Sequence, residues 1–154
     1  MLAIVGAEKP FHWINFAMYR SRPEVEFLRA SRLAICRPEG CLDAKAAEWL
    51  LVYVLALEES QSQPFNRLLD LRNLLEIRLS GSEVSEIARN RRHVTAGRPS
   101  FQTAMLAVNP FGYAVARLYE DLMAGSPARV AVFRDAVSTA KWLQVPLHLV
   151  KADS

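Results

Sequence analysis

Three short apolar segments constrain this chain more than any other feature: residues 67–71 (RLLDL), 103–108 (TAMLAV) and 129–133 (RVAVF), each bounded by polar or breaker residues. Apolar runs of this length read as strands covered on both faces. Helix-opening patterns separate them. Ser80 and Glu83 have the S-x-x-E spacing of a capping box, which predicts a helix to about Arg92 with Val84, Ile87 and Ala88 inward. Asn109 and Pro110 read as N-cap and first residue of a helix to about Ala124, with Phe111, Val115, Leu118 and Leu122 as its core face. Asp135 opens a helix with Val137, Ala140 and Leu143 inward, which Pro146 stops. Strands alternating with helices imply right-handed crossovers and a parallel sheet.

Upstream, residues 24–30 and 33–36 read as a hairpin, which adds an antiparallel edge strand, and Pro38, Glu39 and Gly40 break the chain. Asp43 caps a helix to about Glu59 whose middle is apolar all round. Such a helix needs cover on more than one side. The expected fold class is therefore α/β, a mostly parallel sheet with an antiparallel edge hairpin strand and helices packed on it. At 154 residues the chain fits one domain over 23–145, with an N-terminal extension over 1–22 and a C-terminal tail over 146–154. In the extension Phe11, Trp13 and Phe16 pack on the domain surface at most, and residues 1–17 are expected to be dispensable, Met18 standing just before the first strand.

Hydrophobic residues make up 51% and charged ones 23% of the chain, the balance of a globular domain that needs neither disulfide nor metal for its stability. No stretch reaches the roughly 18 to 20 apolar residues of a membrane span, and no secretory pattern opens the sequence, so a cytoplasmic location is the default expectation. The net charge is only +3, and the bias of its cations toward arginine reads as codon usage, so nucleic acid is not an expected partner.

Catalytic signatures are missing. The sequence has no phosphate-cradling glycine loop and no G-x-S-x-G elbow, and His12, His93 and His148 are scattered, so no catalytic residue is assigned and no cofactor is expected. Cys36 and Cys41 have no second ligand pair at metal spacing, which leaves Cys36 as a small core hydrophobe and Cys41 at a turn, with no metal site. Three constellations remain. Trp49, Leu50, Val52, Tyr53 and Ala56 on the apolar helix offer a homodimer or partner interface. Arg89, Arg91 and Arg92, with Arg98 nearby, form a basic patch that reads either as a phosphate contact or, more plainly, as a solvated helix end. Asp70 at a strand end, with Ser80 and Ser82 at a helix start, offers a phosphoacceptor or anion site, the plainer account being an ordinary capping box.

The opening hairpin ending in Gly40, RLLDLRN (67–73), LSGSEVSEIAR (79–89), AMLAVNPFGYAVARLYEDL (104–122) and VAVFRDAVSTAKWL (130–143) together resemble the STAS-like family of small bacterial proteins related in fold to the anti-sigma factor antagonist SpoIIAA. The resemblance implies a non-enzymatic regulatory module for signalling that binds a protein partner, a regulator or kinase, and that is switched by phosphorylation of a serine at a helix N-terminus. In the family that serine follows the strand closely, in a D-S-[ST]-G motif. Here eight residues, Leu71 to Arg78, and then Leu79 separate Asp70 from Ser80 and Gly81, so the pair is a positional analogue. The fold also resembles the lipid-binding SEC14 type, which implies a small apolar ligand in an enclosed cavity. A small enzyme using Asp70 and a nearby arginine is the third reading.

Overall fold

Along the strands apolar residues are divided between two faces at every second position, and this period places the two halves of the core. The computed structural model describes residues 24–151. The expectations for residues 1–17, for Phe11, Trp13 and Phe16, and for the extension to residue 22 lie outside the described residues. In chain order the elements are β1 (Glu24–Leu28), β2 (Leu33–Arg37), β3 (Gly40–Asp43), α1 (Ala44–Ser60), β4 (Asn66–Asp70), β5 (Leu74–Arg78), α2 (Gly81–Thr95), β6 (Phe101–Leu106), α3 (Pro110–Leu122), β7 (Ala128–Phe133), α4 (Ala136–Leu143) and α5 (Leu147–Val150).

The main sheet has the order β1-β2-β4-β6-β7, with β1 antiparallel to β2 and every other pair parallel. This is the mixed α/β architecture that the alternation predicts. Because the strand order runs one way from β2 to β7, right-handed crossovers put α1, α2 and α3 on the same face. The opposite face is covered by α4 and α5. Leu33, Ile35, Leu68, Ala104 and Leu106 pack there against Ala140, Leu143 and Val150. Their sequence neighbours Cys36, Leu69 and Met105 belong to the three-helix side.

Each of the four long helices opens on a side-chain cap at the residue that sequence reading selects. Asp43 Oδ1 accepts from the Ala46 amide at 2.9 Å, Ser80 and Glu83 close a full capping box, Asn109 accepts from the amides of Phe111 and Gly112, and Asp135 accepts from Ser138 at 2.7 Å. A cap of this kind satisfies amides that the helix itself leaves unpaired.

The structure corrects several local expectations. Two short strands, β3 and β5, pair parallel as a small second sheet that prolongs β2 and β4 beyond their carboxyl ends. Gly40, read as a chain break, adopts φ 73°, a left-handed conformation that glycine enters without steric cost, and so turns the chain into β3. Helix α2 runs to Thr95, three residues beyond the end expected near Arg92. Of the face predicted for α3, Val115 and Leu122 turn inward and are half-buried while Phe111 and Leu118 are exposed; Gly112 and Ala116 are the buried residues, and Tyr113 and Tyr119 pack on the core. Small residues let this helix approach closely, and a Cβ on Gly112 would already lie 3.5 Å from Ile77 Cδ1. β7 is an edge strand with a half-buried rather than fully buried run. In α4 the inward residues are Thr139, Ala140 and Leu143, and Val137 faces solvent.

The segment assigned to a tail is also different. After the left-handed Gln144, Pro146 caps the single turn α5, which seats Val150 with no exposed surface in the core. Val150→Ala should cost about 1.5 to 3 kcal/mol of unfolding free energy, from the lost burial of two methyl groups and the space they leave. Denaturant unfolding measures this. A change within about 0.5 kcal/mol, the ordinary surface value, would mean that the segment is a tail after all.

Candidate functional site

Helix α1 enters from β3 and lies over the three-helix face. Its Leu50 and Val54 meet Cys36 on β2. Between α1, the sheet and helices α2 and α3 is a cavity of about 120 Å³. Its walls are apolar over nearly all their area: Ala47, Leu50, Leu51 and Val54 from α1, Leu69 and Met105 from the sheet, Val84 and Ile87 from α2, and Val115 from α3. Arg67, Arg91, Thr103 and Tyr119 supply most of its polar groups.

Arg67 and Arg91 belong to an ion cluster formed where α1 ends, β4 begins and α2 ends. The Glu58 carboxylate accepts from the Arg67 guanidinium and from Arg91 Nη2 at 2.8 Å, and Arg98 Nη1 lies 3.8 Å away. The side chains of Glu58, Arg67 and Arg91 are all buried. The Arg67 guanidinium also stacks on Phe101, 3.6 Å from the ring centroid, and on Phe65 at 4.5 Å. Burial lowers its pKa to about 10, against the opposing pull of Glu58, so it remains charged at neutral pH. Its Nε makes no hydrogen bond. Burial likewise raises the pKa of the neighbouring Tyr119 hydroxyl. Two buried cations thus face one buried anion, and burying a charge without full compensation is expensive.

A second ion cluster ties the other face together. Asp70, 1% exposed, accepts a bidentate pair from Arg72, Nε to Oδ1 at 2.9 Å and Nη2 to Oδ2 at 2.8 Å, and Arg37 Nε stands 3.5 Å from Oδ2. Arg72 Nη2 also donates to the Val150 carbonyl at 2.7 Å, and Arg37 Nη2 to that of Leu149 at 3.1 Å. The hydrogen bonds to Asp70 raise the Arg72 pKa. Asp70 therefore anchors α5 to the carboxyl end of β4.

Asp70 and Ser80 do not meet. The whole of β5 lies between them, about 16 Å of extended chain, and every hydrogen bond to Asp70 comes from Arg72. Ser80 and Ser82 are exposed, with their hydroxyls 3.4 Å apart. The four arginines of the expected basic patch are likewise dispersed: Arg91 is buried on Glu58, Arg98 stands at the rim of the same cluster, Arg89 pairs with Glu86, and Arg92 donates to the carbonyls of Leu122 and Ala124. On α1, Leu50 is buried in its own domain, Trp49 and Tyr53 are half-buried and stacked at 5.3 Å, Ala56 is half-buried, and Val52 is exposed. Among the described residues no group of His, Cys, Asp or Glu is placed to hold a metal, and no helix is long and apolar enough to cross a membrane.

The residues that sequence reasoning missed are Glu58, Arg67 and Tyr119. A glutamate closing an apolar helix and an arginine opening an apolar strand were the available signal, since charges inside apolar runs are buried only when paired.

No family model matches the chain, and no curated protein matches it. Among solved structures it is similar to an uncharacterized protein of the DUF3478 family, with a SpoIIAA-like fold, from Shewanella loihica PV-4: 12% identity, TM-score 0.53, covering 81% of this chain and 96% of that one. The chain has the SpoIIAA-like fold.

Two measurements check the site. Burial raises the Cys36 thiol pKa to about 12, whereas Cys41 is half-buried. A thiol reagent at pH 8 should therefore modify Cys41 promptly and Cys36 only at the rate of unfolding; two equally fast thiols would contradict the packing of β2. Glu58→Gln leaves Arg67 and Arg91 buried without their anion and should destabilise the fold by about 3 to 5 kcal/mol in denaturant unfolding.

Proposed function

We propose that this chain is a non-enzymatic, regulatory protein-interaction module that docks its partner, a regulator or kinase, on the carboxyl end of its sheet. The supporting observation is the placement of the four most exposed of the seven exposed large apolar side chains among the described residues. Leu75 on β5, Val108 after β6, Phe111 in the first turn of α3 and Val137 in the first turn of α4 are 90%, 55%, 55% and 62% exposed. In a parallel sheet all four positions fall at the carboxyl end, where open α/β folds place their functional groups. Isolated exposed apolar residues are ordinary, but several at one end of a fold mark an interaction surface.

The same end carries the start of α2. Ser80 Oγ already accepts from the Glu83 amide as the helix cap, so Ser82 is the better phosphoacceptor. A phosphate there adds a charge of roughly −1.5 to −2 in the first helical turn, where the macrodipole favours an anion. Asp70 supports the non-enzymatic reading, because both its oxygens are engaged by Arg72 and it is shut away from solvent. A second reading, a small apolar ligand held inside the domain, is favoured by the cavity beneath α1.

Phe111→Glu combined with Val137→Glu should leave stability within about 0.5 kcal/mol of the parent, since both positions are exposed. Capture from cells of the source organism should recover a stoichiometric partner with the parent chain and lose it with the double variant. Recovery of the same partner by both would move the docking surface elsewhere. Phosphorylation by a captured kinase should label Ser82, and Ser82→Ala should abolish the label. Light scattering of the purified chain separates docking of another protein from pairing with a second copy.

A further inference from the structure

The cavity beneath α1 and the ion cluster at its edge share two arginines, and this juxtaposition specifies a ligand more closely than either feature alone. This partly open cavity of about 120 Å³ is close in size to engineered apolar cavities that take up benzene. Most such cavities in native proteins are closed by packing, because empty space removes dispersion contacts. This one persists between a helix, a sheet and two further helices, and its walls are almost wholly apolar.

The polar part of the lining is unbalanced. Arg67 and Arg91 are both buried, and the carboxylate of Glu58 is the one anion within 4.0 Å of them among the described residues. The aromatic faces of Phe101 and Phe65 take up part of the excess positive charge on Arg67. They leave a buried donor unused, because Arg67 Nε has no hydrogen-bond partner although its side chain is only 6% exposed. Tyr119, close enough to Arg67 for the two charges to interact, lines the same cavity. Buried donors are nearly always satisfied in folded proteins, by protein, water or ligand.

We infer that the cavity binds a small apolar monocarboxylate, its hydrocarbon part of about six carbons filling the space between α1 and the sheet and its carboxylate accepting hydrogen bonds from Arg67 Nε and the Tyr119 hydroxyl. The ligand's anion then supplies the second negative charge that the two buried arginines lack. Charge-assisted hydrogen bonds are about twice as strong as neutral ones, which selects a carboxylate over a hydrocarbon of the same shape. The inference rests on the second reading above and adds the chemical class of the ligand.

Benzoate and toluene, matched in shape and differing in charge, are the probes, titrated separately into the intact chain carrying labelled methyl groups. Benzoate should shift the Leu50, Val54, Leu69 and Val84 methyls saturably and bind at least tenfold more tightly than toluene. Arg67→Met should abolish that preference while toluene still moves the same methyls. The comparison within the parent chain stands even if this variant fails to fold. If toluene binds as tightly as benzoate at these methyls, the carboxylate inference is wrong and the cavity reading survives. If neither probe moves them, both fall together.

Discussion

The carboxylate of Glu58 is the point through which α1, β4 and α2 are joined, and the three-helix side of the molecule takes its geometry from it. Glu58 ends the apolar stretch of α1, Arg67 opens β4 and Arg91 lies in the last turns of α2, so one buried ion cluster fixes the far ends of three elements. Clusters of this kind add little net stability compared with well-packed apolar side chains, but losing one member leaves a charge stranded. Here the consequence is positional. With its start fixed by the Asp43 cap beside β3 and its end fixed by Glu58, α1 packs Leu50 and Val54 on the sheet and leaves a partly open apolar space beside them.

The opposite face is organised by a different carboxylate. Asp70 gathers Arg72 and Arg37, and these two arginines hold the Leu149 and Val150 carbonyls at the end of α5. The two clusters therefore divide the work of the fold. One closes the end of the chain over the core, and the other frames a cavity. The carboxyl end of the sheet carries the Asp70 cluster together with Leu75, Val108, Phe111 and Val137, all exposed, and the start of α2.

How much of this was legible depended on how local each signal is. Caps are local, so Asp43, Ser80, Asn109 and Asp135 were readable from single residues and their neighbours, and so was the alternation that implies a parallel sheet. Faces are less local. On α3 the pattern of large apolar residues pointed to Phe111 and Leu118, while the sheet accepts the small residues Gly112 and Ala116, because close approach by a helix depends on what lies opposite it. The short strands β3 and β5 and the turn α5 were missed because each is stabilised by a partner distant in sequence. The arginines of 89–98 looked like one patch along the chain, yet the helix turns Arg91 inward toward Glu58, more than thirty residues away and invisible to spacing rules. The cavity lies furthest from sequence, since it is space that several elements leave among themselves.

The claim on which this account rests is that α1 stands over an apolar cavity in the folded protein. Xenon-pressurised crystals test it directly, because xenon enters dry apolar cavities without a chemical handle. The account predicts a single strong xenon position among Leu50, Val54, Leu69 and Met105, with α1 unmoved. No xenon in that position, with the side chains of α1 packed down onto β4 and β6, would contradict it.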